Sequence, residues 1–227
     1  MNIIIPLAGA GSRFSKTHSM PKPLIPVDGR LMIQRAVESL GFDGVYHFVV
    51  RDDEYLAQTT WAIEQCVDPI IVKIDHLTAG PASSALLLRE HINDDELIIA
   101  NCDQIMNWDS EKALTEMRKY DGAVVTINSS DPKHSYVRVN GEGLAEEFAE
   151  KKVISNTALT GIHYWGNGQD FILSADQMIA ENNRTRNEFY IAPTYNYMKK
   201  RIGIYMVADK EYYPIGTPGD LEAYESR

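Results

Sequence analysis

Short apolar runs alternate with amphipathic stretches over the first half of the chain. Ile3-Ile4-Ile5, residues 45–50, 70–74 and 123–127, and Leu97-Ile98-Ile99-Ala100 are brief, continuous and rich in β-branched residues, as strands buried on both faces require. Between them, Leu31, Ile33, Ala36, Val37 and Leu40 approximate a helical stripe that Gly41 closes. Residues 54–66 predict a helix opened by Asp52 and Asp53, and residues 109–120 and 168–182 predict two more. Strands alternating with helices imply a parallel sheet with right-handed crossovers. Beyond residue 135 the pattern changes: Tyr136-Val137-Arg138-Val139 alternates and Asn140-Gly141 signals a hairpin, so residues 135–154 read as short strands joined by turns.

The first strand runs into Leu7-Ala8-Gly9-Ala10-Gly11-Ser12-Arg13-Phe14, and Met20-Pro21-Lys22-Pro23-Leu24-Ile25-Pro26 follows. Gly9 and Gly11 permit a sharp turn and close approach of a ligand, and successive N–H groups in such a turn form an anion-binding concavity. Arg13 can grip a phosphate with a fork of donors, and Lys22 supplies a point charge from what reads as a stiff extended segment between two prolines. The string lacks the third glycine of a dinucleotide fingerprint, Phe14 standing there, and it has no Gly-Lys-Ser/Thr. It reads as a nucleoside-triphosphate site.

Two other segments carry candidate chemistry. Thr78-Ala79-Gly80-Pro81-Ala82-Ser83 reads as a loop entering a helix with Pro81 in its first turn. Its small residues fit either a nucleotide at the helix N-terminus or a helix packed closely on the sheet. The strand Leu97–Ala100 ends in Asn101-Cys102-Asp103, which puts a carboxylate where open α/β sheets bind ligands. Asp103 suits magnesium, a hard cation held by one or two carboxylates plus phosphate oxygens, or equally a helix cap.

Taken together, Ala8–Phe14 and Pro21-Lys22-Pro23-Leu24-Ile25-Pro26-Val27 resemble the sugar-phosphate nucleotidyltransferases, or nucleotide-sugar pyrophosphorylases, whose signature is A-G-x-G-x-R-[FL] then P-K-x-L-x-P-[VI]. The resemblance implies a Rossmann-like α/β three-layer sandwich with a mostly parallel mixed sheet, as one domain over 1–227. About 1–134 would hold the nucleotide and about 135–227 the acceptor. It makes Arg13 and Lys22 catalytic, and Leu7, Ala8, Gly9, Gly11, Ser12, Arg13, Thr78, Gly80, Ser83 and Asn101 nucleotide contacts. It makes Asp103 the Mg2+ ligand, and Glu150, Lys151, Thr160, Gly161 and Glu188 acceptor contacts. Phe148-Ala149-Glu150-Lys151 is similar to the family's E-K segment, although a charged edge strand has the same composition. Leu159-Thr160-Gly161-Ile162-His163 is similar to its T-G-I-Y strand. Ile215-Gly216-Thr217-Pro218 matches the I-G-T-P motif, but Pro214 stands where the family often has a second metal-binding aspartate. Asp220 is left to compensate or to cap the last helix. Arg184 and Arg186 read as a solvated loop.

The implied reaction joins an NTP to a sugar 1-phosphate or similar small phosphorylated acceptor and releases pyrophosphate. The compact length is similar to members that serve surface polysaccharide synthesis. A glycosyltransferase of related fold would want Asp-x-Asp, and Asn101-Cys102-Asp103 lacks the first acid. A non-catalytic nucleotide-sugar-binding module would tolerate the missing aspartate but would not need Arg13 and Lys22.

Composition narrows the partners. Lys and Arg number 22 against 32 Asp and Glu, a net charge of −10, which argues against nucleic acid or an anionic membrane. Cys66 and Cys102 have no metal-like spacing, Met1 leads straight into the first strand, and no apolar run approaches the roughly 20 residues of a membrane span. The expectation is a soluble cytoplasmic enzyme with small-molecule partners and a possible homo-oligomeric state.

Overall fold

The computed structural model describes residues 1–9, 11–15 and 17–227; Ala10 and Lys16, of which Ala10 belongs to the glycine-rich motif, lie outside the described residues. The elements in chain order are β1 (Asn2–Pro6), β2 (Pro26–Val27), β3 (Arg30–Leu31), α1 (Met32–Leu40), β4 (Val45–Arg51), α2 (Leu56–Glu64), β5 (Pro69–Ile74), α3 (Pro81–Leu86), β6 (Leu97–Ala100) and β7 (Gln104–Met106). There follow α4 (Ser110–Met117), β8 (Gly122–Asn128), β9 (Ser135–Val139), β10 (Ala145–Glu150), β11 (Thr157–Trp165), α5 (Gly168–Ala180), β12 (Ile202–Met206), β13 (Tyr212–Pro214) and α6 (Pro218–Glu225).

The main sheet runs β5-β4-β1-β6-β11-β8-β12, and the hairpin β9-β10 joins at the start of β11. β5, β4, β1 and β6 are mutually parallel, β11 is antiparallel to both β6 and β8, and β12 is parallel to β8. The fold is therefore the expected Rossmann-like α/β arrangement with a mixed, mostly parallel sheet. Ile3 and Ile5 face one layer, with Ile33 and Val37 of α1, Ala62 and Ile63 of α2 and Met117 of α4. Ile4 faces the other, with Ala82 and Ala85 of α3 and Phe171, Ala175 and Met178 of α5. Burial on both faces is what selected the continuous apolar runs.

Gly41 closes α1 in the left-handed region at φ +66°, as the sequence predicts. The β9–β10 hairpin also forms, but its turn spans 140–144. Asn140 Oδ1 accepts from the N–H groups of Glu142 and Leu144, and Gly143 rather than Gly141 takes the positive φ. Lys22 departs from the extended segment expected of it. Pro21 is extended, but Lys22–Leu24 forms one 3-10 turn, closed by Leu24 N–H to Pro21 O at 2.9 Å. The φ that proline fixes serves such a turn as readily as an extended chain. The pairing of β7 with β13 and the edge strand β12 have no clear signal in the sequence; both pack by long-range partners.

A third, smaller cluster positions the site. Phe14, Ile25, Val27, Met32, Ile105, Ile215 and Leu221 are buried together. Phe14 ends the glycine-rich loop, Ile25 follows Lys22, Ile105 follows Asp103, and Ile215 precedes the last helix. Four sequence-distant segments are thus tied by one apolar contact set, each fully buried side chain contributing about 1.5–3 kcal/mol.

Candidate active site

A cleft of about 340 Å3 opens at the carboxyl ends of the parallel strands. Of the residues singled out by sequence, Gly9, Arg13, Lys22, Asn101, Asp103, Glu150, Lys151, Thr160, Gly161 and Glu188 line it. Both halves of the expected site thus meet in one cavity.

On the loop side, Gly11 takes φ +60°, and its carbonyl accepts from Phe14 N–H at 3.0 Å. This turn carries Arg13 to the cleft, where it forms no ion pair with the described residues. Lys22 Nζ is ion-paired and hydrogen-bonded to Asp103 Oδ2, both side chains being mostly buried. Burial alone would lower the Lys22 pKa, but the neighbouring Asp103 carboxylate outweighs it and the pKa is raised. Burial likewise works to raise the Asp103 pKa; Lys22 reverses this, with Arg13 adding to it, and the carboxyl is held below its ordinary value. The site holds a carboxylate and an ammonium together at neutral pH.

The carboxylate is enclosed from the C-terminal side. Ile215 N–H donates to Asp103 O at 2.9 Å, and a Cβ on Gly216 would lie 2.5 Å from Asp103 Oδ2. Pro214 lines the cleft and offers no ligand. Asp220 also lines it, but its oxygens are engaged, Oδ2 by the hydroxyl of the N-cap Thr217 at 2.7 Å and Oδ1 by Lys133 Nζ at 2.7 Å. It sits as the acid in the first turn of α6, whose N-cap is Thr217. Among the described residues no group of three or more His, Cys, Asp or Glu could hold a metal by itself. A single carboxylate facing the cleft still fits magnesium, which takes most of its ligands from water and from phosphate where one is bound.

On the acceptor side, Gly161 has φ +99°, and a Cβ there would lie 2.1 Å from Asn101 Nδ2. The absent side chain lets β11 pass against Asn101, whose N–H donates to Gly161 O at 3.1 Å. The Thr160 hydroxyl donates to Val125 O at 3.2 Å. Burial raises the Glu150 pKa although Ser135 Oγ donates to its carboxylate and Lys151 lies 3.8 Å away. Burial also lowers the Lys151 pKa against the pull of Glu150 and Glu188. Lys151 Nζ hydrogen-bonds Tyr190 Oη, which donates to Glu188.

The remaining nucleotide candidates lie outside the cleft lining, and packing accounts for several of them. Leu7 and Ala8 have core side chains, and Leu7 N–H is taken by Val49 O at 2.9 Å. The Thr78 hydroxyl is shared between Gly80 O and Ser84 Oγ. Gly80 has φ +120°, and a Cβ there would lie 2.6 Å from the Phe189 backbone, so close chain packing requires the glycine. Ser83 is half-buried on α3, and Ser12 is exposed on the loop. The cleft lining also includes Lys133, His134, Ser135, His163, Tyr190 and Tyr212, which sequence reasoning did not place there. Lys133 and His134 follow Asp131-Pro132 in a turn with no distinctive local signal, and Ser135 opens β9. Tyr190 follows the predicted Glu188 by two residues, the one available hint.

Comparison with known proteins identifies the family. The model of the MobA-like NTP transferase domain matches residues 3–158. No curated protein sequence matches the chain. Among solved structures, a nucleoside-diphosphate-sugar pyrophosphorylase from Vibrio cholerae superposes with TM-score 0.88 at 22% identity, covering 99% of this chain and 100% of its own. An inositol-1-phosphate CTP transferase from T. maritima superposes with TM-score 0.76 at 19% identity, covering 99% and 93%. At such identities these likenesses speak for the fold. The family model, extending from β1 into β11, speaks for the chemistry: the chain belongs to the MobA-like NTP transferase domain family and is a nucleotidyltransferase.

Proposed function

We propose that the enzyme transfers a nucleotidyl group from an NTP to a small phosphorylated acceptor, of the sugar 1-phosphate class, and releases pyrophosphate. The observation that carries this is the meeting of two charged sets in one cleft, Arg13, Lys22 and Asp103 on one side and Glu150, Lys151 and Glu188 on the other. Residues 1–134 hold the NTP and residues 135–227 supply most of the acceptor contacts. An acceptor phosphate oxygen attacks the α-phosphorus in line while the bond to the pyrophosphate oxygen breaks, so the electron pair leaves with pyrophosphate. No side chain needs to become covalently attached, and catalysis consists of positioning and charge stabilisation. Arg13 and Lys22 offset charge growing on the leaving group, and Lys151 orients the acceptor phosphate. Glu150 and Glu188 accept hydrogen bonds from acceptor hydroxyls.

Asp103 would hold magnesium, which when bound neutralises phosphate charge. Lys22 must then exchange Asp103 for phosphate oxygens when the nucleotide enters. Synthesis of surface polysaccharide is a use that fits such a product, and no helix in the described residues is long and apolar enough to cross a membrane.

The test is pyrophosphate release with magnesium, each NTP being offered with a panel of sugar 1-phosphates and phosphorylated polyols or amino alcohols. Release that depends on one NTP and one acceptor is expected. Release that needs no acceptor, or transfer to an unphosphorylated one, would overturn the proposal.

A further inference from the structure

Among the described residues four cations line the cleft, Arg13, Lys22, Lys133 and Lys151, and the reaction above leaves Lys133 without a task. Its ammonium is 2.7 Å from Asp220 Oδ1 and 3.6 Å from Asp131 Oδ2. The backbone around it is pinned: Lys133 N–H donates to Asp131 Oδ1 at 3.0 Å. The next residue, His134, accepts from Lys151 N–H at 3.1 Å, and Ser135 Oγ donates to Glu150. The loop that carries Lys133 is therefore built onto the acceptor segment. Its partner Asp220 belongs to the helix whose approach, through Gly216, abuts Asp103. Lys133 bridges the acceptor side and the Asp103 side at a place where Pro214 adds no charge.

We infer that Lys133 is a further phosphate-binding residue that leaves Asp220 for the phosphate monoester of the acceptor, beside Lys151. The inference rests on the transferase reading above. Asp220 is the fixed partner, held by Thr217 and its place in α6, with 15% of its side chain exposed. Lys133 is 39% exposed on a flexible four-carbon stem and is the partner able to move. The lysine end of the pair is open to solvent, which screens it, so exchanging the carboxylate for a phosphate dianion trades one charged partner for a more highly charged one. Among the described residues the four lining cations are balanced in number by Asp103, Glu150, Glu188 and Asp220, with Arg13 ion-paired to none of them. Each lining lysine is held near an acid, Lys22 by Asp103, Lys133 by Asp220 and Lys151 by Glu150, so a lysine reaches a phosphate only by leaving its acid.

The test is calorimetric titration of the full-length protein with inorganic phosphate, using wild type, K133M, D220N and the double variant. K133M should weaken phosphate binding about tenfold, as expected for loss of one charged hydrogen bond. D220N should tighten it about threefold by freeing the lysine. The double variant should bind no better than K133M, because the gain in D220N acts through Lys133. The inference is overturned if K133M binds as wild type does, or if the D220N gain persists in full without Lys133. It is also overturned if both single variants weaken binding alike while lowering the melting temperature, as a purely structural tie would. Absence of binding in wild type and D220N up to about 50 mM phosphate overturns it as well. The titration does not require turnover, so an absence of pyrophosphate release would sink the transferase reading separately.

Discussion

Replacing Lys22 by Met removes one half of the ion pair at the centre of the cleft and leaves the carboxylate of Asp103. The side chains retain 14% and 16% of their surface, so Asp103 becomes an enclosed charge without its partner. Breaking a buried pair costs about 3–5 kcal/mol when water cannot reach the orphan. Here the cleft is open on one side and water can rehydrate the carboxylate, which brings the expected loss to about 2–3 kcal/mol. For a chain of this size that is a fall of roughly 5–10 °C in melting temperature. Asp103→Asn should cost a similar amount through the stranded ammonium, and the K22M/D103N double variant should recover most of the loss, because no charge is left unpaired.

The pH dependence has a sign. Asp103 is depressed in the folded state, so its contribution is present above the unfolded carboxylate value and is lost as pH falls through the folded one. Lys22 is raised, so its contribution is present below the unfolded lysine value and is lost as pH rises through the folded one. In K22M burial is opposed only by Arg13 and a backbone hydrogen bond, and the acid-side loss should move to higher pH. Urea denaturation of the four proteins across pH measures all of this. Single variants that each lose under about 0.5 kcal/mol and simply add in the double would refute the reasoning. Turnover of K22M should fall by about 10² or more, as for removal of one charge-stabilising donor.

Three further outcomes are expected. Gly161→Ala should lose about 1–3 kcal/mol from its φ of +99° and more from the 2.1 Å approach to Asn101 Nδ2, measured by urea midpoint; adding Asn101→Ala should recover the second part alone. Phe14→Ala should cost about 3–5 kcal/mol by emptying the cluster that joins the loop to Ile25, Ile105 and Ile215, and nucleotide affinity by calorimetry should fall with it. Glu150 has a pKa raised above its ordinary 4.5 by burial, so the folded state holds a proton that the unfolded state has lost. Stability should therefore decline as pH rises from 4.5 through the folded value, and Glu150→Gln should flatten that slope in urea titrations.

What could be read from the sequence divides along a physical line. β1, β4 and β6 follow from burial on both faces, and Gly41 follows from the left-handed helix end, because these are local requirements written into neighbouring residues. The Arg13 and Lys22 positions were legible for the same reason, since turn, charge and proline lie within one stretch. The electrostatics were not, because they belong to partners far apart in the chain. Lys22 meets Asp103 across 81 positions and Lys133 meets Asp220 across 87. Gly80 shows a second demand that the sequence does not reveal: the backbone of Phe189 occupies the space a side chain would need. Gly161 and Gly80 look alike in sequence and both have positive φ, yet one borders the cleft and the other packs outside its lining. Composition cannot separate them, because what fills the space above each glycine comes from a distant segment, Asn101 in one case and Phe189 in the other. The absence of an acid at Pro214 was visible at once, but its consequence depended on Asp220, whose oxygens are engaged by Thr217 and Lys133. The charge balance of the cleft is therefore a property of the folded chain, set by which acid each cation reaches.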